Sequence, residues 1–331
     1  MKIAVIGIGG RTGAMFASEL KKVSNILGFG REKEIELIRE GKFFIEKRGS
    51  DPEVFQAEVF EEAQFLEKDS PDIIFLTTKN PVGPVVKSYY QKVKEKGYAP
   101  PTLILSQNGI ACSKKASDTL KEIFGGDYKK IRLIRVILFN PIERKETEGK
   151  IYINYSLPIR ISFGKISGPP NGLKDIATLF QRAGFEVKEF SSEEVKNIEF
   201  SKLFLNLIGM ASATRGFSVK EGFKNNEIFK EEIMALREYI KVVSASGGNF
   251  VNFSNYPVKL LTTLFNFIPV IFLSLFKDYF GKFISKERKN KPKDLDEIEY
   301  YNGAVVRLGE NLGILAPINK KILQRAKRRG A

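Results

Sequence analysis

An apolar run, Lys2-Ile-Ala-Val-Ile6, leads directly into Gly7-Ile-Gly9-Gly10-Arg11-Thr12-Gly13. Strand, glycines and helical pattern, in that order, are how a dinucleotide-binding βαβ unit begins. The first glycine permits a tight turn, and the second lets backbone approach a pyrophosphate. The helix N-terminus that follows offers unpaired N–H groups to the anion. A strict G-x-G-x-x-G spacing puts its third glycine at Thr12, whereas here glycines flank that position at Gly10 and Gly13. Gly13 is expected to supply the close helix packing one residue late, with Gly7, Gly9 and Gly10 admitting the pyrophosphate. Taken alone, the loop also fits an ordinary glycine-rich turn between a strand and a helix.

The chain has 331 residues, 43% hydrophobic and 28% charged, long enough for two domains with cores of their own. It contains no histidine and a single cysteine, Cys112. Those two facts exclude histidine bases, Ser-His-Asp triads, cysteine-cluster or histidine metal sites and intramolecular disulfides. No metal is expected, and proton chemistry falls to Lys, Glu, Asp, Tyr or water. No segment reads as a cleavable signal peptide, so a cytoplasmic protein is expected. The net charge of +15 is dispersed, with denser patches at 286–293 and 320–329. Without an accompanying nucleic-acid motif, it reads as solvated surface charge rather than a nucleic-acid-binding face.

Up to about residue 190 the pattern alternates strand and helix. Strands are expected at 2–6, 25–29, 72–77, 102–106, 131–139, 150–155, 160–164 and 186–190. The run DIIFLT at 72–77 is apolar throughout, as a parallel strand buried on both faces requires. The stretches 131–139, 150–155 and 160–164 are expected as antiparallel strands at the sheet edge. Helices fit 11–23, 32–39, 82–96, 112–124 and 171–183. From residue 191 long helical patterns take over, at 193–214, 220–246, 258–284, 294–311 and 317–328. The expected architecture is α/β: an N-terminal Rossmann-type doubly wound sheet over 1–190 and an all-α C-terminal domain over 191–331, sharing a cleft.

Residues 260–276 contain no charge and include Pro269. Seventeen residues lie at the lower edge of membrane-spanning length. Polar residues dilute the run, which reads as a helical hairpin bent at Pro269, buried or partly exposed. Interfacial contact with a membrane, aided by the basic 286–293 patch, is the second reading.

Ligands in doubly wound sheets sit beyond the carboxyl ends of the strands. The second strand ends Gly28-Phe29-Gly30-Arg31, with Lys33 close by. A cation there suits the 2′-phosphate of NADPH, because guanidinium pairs with phosphate in a fork. A solvent-facing Arg that merely opens the next helix is the alternative. The following strands end in Thr77-Thr78-Lys79-Asn80 and Ser106-Gln107-Asn108-Gly109. The Asn-Gly step can present the Asn108 side chain from a tight turn, and is also an ordinary turn dipeptide. Farther on, Lys202 and Asn206 stand four apart on one helix face among Leu203, Phe204, Leu205 and Leu207. Such a Lys either snorkels to water or faces a cleft. Asp296 and Glu297 give another helix an acid-rich first turn.

The segments KIAVIGIGG, DIIFLTTKN, LILSQNGIA, AGFEVKEF, FSKLFLN and DEIEYYNGAVVRLGENLGILAPIN together resemble the ketopantoate reductase (2-dehydropantoate 2-reductase) family over most of the chain. The last is the most specific, resembling the family's TEIDxxNG helix opener and its G-I-x-x-P-x-N close at 313–319. The resemblance implies NADPH-dependent reduction of ketopantoate, or another 2-oxo acid, to the 2-hydroxy acid, toward pantothenate and coenzyme A. It implies Lys202 as proton donor, Asn206 as the residue orienting substrate, and Glu297 as a ligand of the substrate hydroxyl or a partner of Lys202. It places Asn108 at the junction of cofactor and substrate, Lys79 near the nicotinamide ribose or phosphates, and Arg31 at the 2′-phosphate. Gly7, Gly9, Gly10, Thr12 and Gly13 would hold the pyrophosphate. Two positions depart from the family. Met210 stands where a second substrate Asn is usual, and Ser285, at the position of a carboxylate-binding Ser, lies in unlike surroundings. Three readings follow: a ketopantoate reductase, a paralogue acting on another 2-oxo acid, or a non-catalytic NADP(H)-binding or interaction protein. The partner expected is a small 2-oxo acid, with a homodimer possible.

Overall fold

The computed structural model describes residues 1–66, 70–169, 172–285 and 291–330, except the side chains of residues 63, 284 and 285. They form two compact units. Met1–Gln107 and Ala111–Val195 make the first; Asn108–Ile110 and the residues from Lys196 on make the second. In chain order the first runs β1 (Lys2–Ile6), α1 (Arg11–Leu20), β2 (Asn25–Gly30), α2 (Glu32–Arg39), β3 (Phe43–Lys47), β4 (Glu53–Val54) and β5 (Glu58–Glu61). It continues β6 (Ile73–Leu76), α3 (Val82–Glu95), β7 (Thr102–Leu105), α4 (Cys112–Phe124), β8 (Leu133–Leu138) and β9 (Ile142–Thr147). It closes with β10 (Lys150–Tyr155), β11 (Ile159–Ser167), α5 (Leu173–Arg182) and β12 (Phe185–Phe190).

The main sheet has the order β12-β11-β8-β7-β6-β1-β2-β5. Every pair from β8 to β5 is parallel. Successive residues in its central strands feed opposite cores. Ile3, Val5, Ile73, Phe75 and Ile104 join one, packed with α1 and α5 residues such as Phe16 and Phe180. Ala4, Ile6, Ile74, Leu76, Leu103 and Leu105 join the other, with Val86 and Tyr90 of α3 and Leu120 of α4. Burial on both faces is what makes these strands continuously apolar.

The edge differs from the expectation. Of the three stretches read as antiparallel edge strands, β8 is a parallel interior member, buried along nearly all its length. Only β11 runs antiparallel to its inner neighbour, β8, and it carries β12 parallel to itself. β10 leaves the sheet altogether. It pairs with β3 and β9 in a second sheet of order β4-β3-β10-β9. Its alternating burial explains why: Ile151, Ile153 and Tyr155 face the core while Tyr152 and Asn154 do not. One-sided burial suits a small sheet laid over α1, where the Tyr155 hydroxyl donates to Glu19 Oε1 at 2.6 Å.

The second unit is helical, with an isolated bridge between Phe253 and Tyr256. Its helices are α6 (Val195–Leu207), α7 (Met210–Ala213), α8 (Val219–Lys224), α9 (Asn226–Ala245), α10 (Val258–Phe267), α11 (Val270–Ser274), α12 (Lys277–Ser285), α13 (Asn302–Asn311) and α14 (Pro317–Arg328). Four expected long helices are broken. The helix at 193–214 stops at Leu207 because Gly209 takes φ +94°, and a Cβ there would overlap Val219. The one at 220–246 divides at Asn225, whose Oδ1 accepts the Glu227 and Ile228 N–H groups and caps α9. The 258–284 helix is cut at Pro269, which opens α11. The last, 294–311, starts late, after a short 3₁₀ turn at Ile298–Tyr300.

Candidate active site

The glycine loop follows β1 and lies at the carboxyl ends of the first unit's strands. Gly7 N–H and Ile8 N–H both donate to Phe29 O, tying the loop to the end of β2. A Cβ on Gly13 would overlap the Gly7 carbonyl oxygen and crowd Thr77 Oγ1. The close approach of helix to loop therefore falls at Gly13, and Thr12 needs no glycine's space. A Cβ on Gly9 would overlap the Glu34 side chain. No side chain among the described residues caps α1, so its first N–H groups are open to an anion. These features fit a pyrophosphate.

Around the end of β2 the structure adds residues that sequence reasoning missed. Arg31 precedes α2 with its side chain 79% exposed and ion-paired to Glu34. Glu34 is buried, and its Oε2 has no partner among the described residues. Arg144 of β9 donates to Gly9 O at 3.1 Å and lies 3.6 Å from Glu34. Lys33 pairs with Glu146 at 3.0 Å. No spacing rule links residue 144 to a loop 135 residues earlier; the second sheet brings it there.

Lys79 is exposed just beyond β6, where the Thr77 hydroxyl donates to Ile6 O at 2.6 Å. The end of β7 is held by Arg135 of β8, which is wholly buried. It donates to Leu105 O at 3.0 Å, Val136 O at 2.9 Å and Gln107 O. That grip fixes the strand's exit into Asn108, which groups with the second unit.

There Asn108 Nδ2 donates to Glu297 Oε2 at 3.1 Å, and the Tyr301 hydroxyl donates to the same oxygen at 2.9 Å. Two of the sequence-nominated residues, 189 positions apart, are thus joined. Tyr301 was not nominated, although its four-residue offset from Glu297 was legible. Glu297 lies in the turn before the 3₁₀ segment, not inside a helix as expected.

Lys202 and Asn206 sit on successive turns of α6, as their spacing requires. Lys202 is half-buried, and Asn206 is 8% exposed with Nδ2 lacking a partner among the described residues. Just past Asn206 the chain kinks. Glu232 of α9 accepts the Gly209 and Ala211 N–H groups at 2.7 and 3.1 Å, while Lys293 Nζ donates to Asn206 O at 2.8 Å. Burial pushes the Glu232 carboxyl up to about 7, opposed by those N–H groups and by Lys293. Met210, at the departure from the family pattern, is fully buried as the first residue of α7. Ser285 ends α12, and its side chain lies outside the described residues.

The specific closing motif has a structural use. Asn302 Nδ2 donates to Asn319 Oδ1 at 2.9 Å. Asn319 Nδ2 donates to Ala235 O at 2.9 Å and Glu238 Oε2 at 2.8 Å, tying α13 and α14 to α9.

Among the described residues there is no cluster of side chains able to hold a metal. No protein-family model and no curated protein matches the sequence. Solved structures do. The ketopantoate reductase of Ralstonia eutropha JMP134 superposes with a TM-score of 0.71 at 16% identity, over 99% of this chain and 97% of that one. The 2-dehydropantoate 2-reductase of Methylococcus capsulatus gives 0.68 at 16%, over 100% and 97%. D-mandelate dehydrogenase, solved with NADH and anilino(oxo)acetate, gives 0.72 at 16%, over 99% and 98%. At such identities the likeness is one of fold: the chain is built on the ketopantoate reductase fold.

Proposed function

We propose that this protein is an NADPH-dependent reductase of a 2-oxo acid, with ketopantoate as the leading substrate. The observation that carries the reading is the Asn206 amide, buried and without an acceptor among the described residues, one turn beyond Lys202. A buried donor left unmade costs about 1–3 kcal/mol, and a carboxylate or keto oxygen of a bound acid relieves it. The first unit holds the dinucleotide on Gly7, Gly9, Gly10 and the α1 N-terminus, with Lys79 at the ribose or phosphates and Arg31 at the 2′-phosphate. The nicotinamide supplies the hydride. Lys202 hydrogen-bonds the keto oxygen, stabilises the negative charge that grows there and donates the proton. Such general-acid help is typically worth ~10²–10⁴-fold. Asn206 orients the acid, while Glu297, fixed by Asn108 and Tyr301, accepts from a substrate hydroxyl. The D-mandelate dehydrogenase likeness supports the same reaction class.

A second reading keeps the reaction and changes the acid. Met210 is apolar and fully buried where the family resemblance places an amide. An apolar site there discriminates poorly in favour of a hydroxyl-bearing acid, which favours a less hydroxylated substrate.

The test is NADPH oxidation with a panel of 2-oxo acids including ketopantoate. Lys202→Ala should retain NADPH affinity and lose at least about 100-fold in kcat. Near-normal kcat in that variant removes the proton-donor role. No turnover with any acid leaves the non-catalytic NADP(H)-binding protein.

A further inference from the structure

Half of the exposed large apolar side chains of the described chain fall in one stretch of the second unit, 260–283. Phe267, Ile271, Leu275 and Phe276 are 61–76% exposed, with Phe272 and Tyr279 beside them at 57% and 66%. These residues lie on α10, α11, α12 and their short connections. The segment is nevertheless anchored. Leu261, Phe265 and Leu273 are buried beneath it, the Phe265 ring packs tilted against Phe204 and edge-on against Phe280, and Arg237 of α9 donates to Phe265 O and Ile268 O. The inner face is therefore spent on the core, and the outer face is apolar where a surface helix is ordinarily polar. A patch of this kind marks an interaction site.

Its charge identifies the partner. Along the chain, Lys259, Lys277 and Lys282 flank the apolar residues, and Asp278 is the one acid among the described residues of 259–285. Lysine is depleted from protein–protein interfaces, and two copies of a chain carrying +15 repel one another as these faces approach. An anionic bilayer surface meets both features, taking the aromatic and aliphatic side chains at the acyl boundary and the lysines at the headgroups. No helix among the described residues is long and apolar enough to cross a membrane, so the contact lies in the plane of the surface.

We infer that α10–α12 form an interfacial docking surface for anionic lipid bilayers. This stands independently of the proposed reductase activity. The experiment is co-sedimentation of the full-length chain with vesicles of phosphatidylglycerol and phosphatidylcholine, or of phosphatidylcholine alone, with analytical ultracentrifugation in parallel. Wild type should partition onto the anionic vesicles and lose most of that binding in 0.5 M salt, as expected for a surface field screened over about 3–10 Å. Phe272→Ser with Leu275→Ser should lower the partition coefficient at least tenfold, since each apolar side chain, even half-buried in the bilayer, contributes about 1 kcal/mol or more, a factor of about five. Unchanged circular dichroism and melting of that variant separate lost binding from lost folding. Absence of binding to anionic vesicles overturns the inference. So does self-association that the double variant abolishes without any vesicle binding, which would assign the patch to a second copy of the chain.

Discussion

Two neighbouring carboxylates of α9 show how much burial and partners decide at the level of single residues. Glu231 is buried, which raises its pKa, but Arg325 and Arg215 outweigh burial and hold it below the ordinary 4.5. Glu232 has backbone N–H groups and Lys293 for partners, and there burial wins, lifting it to about 7. The consequences for stability have opposite signs. The Glu231 contribution is present above pH 4.5 and is lost as pH falls through its lowered folded value. Glu232 binds its proton more tightly folded than unfolded. Its contribution is full below 4.5 and is lost as pH rises through about 7. Wild type should therefore lose roughly 2–3 kcal/mol between pH 4.5 and 8 from this residue. Glu232→Gln should lack that slope, as measured by urea denaturation across the range. Parallel pH profiles for the two proteins would dismiss Glu232 as the titrating group.

Among the elements, α13 and α14 depend on one side chain. Asn319 is fully buried and hydrogen-bonds Asn302 Nδ2, Ala235 O and Glu238 at once. Asn319→Ala should lower unfolding stability by about 2–4 kcal/mol, because it strands several buried polar groups together. A loss below about 1 kcal/mol in denaturant titrations would show that the network is dispensable. The motif around it, N-G-A-V-V … P-I-N, was legible as a motif. Its use as a clamp was not, since the partners lie 80 or more residues away on α9. The helix breaks were legible where a breaker is visible, as at Pro269, and missed where tertiary contacts set them, as at Gly209 against Val219.

The molecule as a whole links the cofactor reading to stability. A ligand that binds only the folded state at 100 times its Kd adds about 2.7 kcal/mol. On the proposed reading NADPH should raise the melting temperature more than NADH at equal concentration. Arg31→Ala should reduce the NADPH increment toward the NADH one, a tenfold affinity loss being about 1.4 kcal/mol. The Arg31–Glu34 ion pair gives this a distinctive second outcome. Glu34→Gln frees the guanidinium and should increase the preference for NADPH. Equal shifts for both dinucleotides in all three proteins would reject Arg31 as the discriminating residue.

The α/β class, the parallel central strands, the glycine loop, the Lys202–Asn206 spacing and the helical second half were all determined by local pattern. Periodicity and glycine placement are properties of adjacent residues, so a sequence read alone carries them. What the tertiary structure decided is everything that depends on residues far apart. It moved β10 into a second sheet and brought Arg144 over Gly9. It closed Asn108 and Tyr301 onto Glu297, and left the Asn206 amide buried without a partner among the described residues. It also left the outer face of 260–276 bare, although that stretch is as apolar as a core helix. Composition shows that a segment can be buried, and only packing determines which of its faces is.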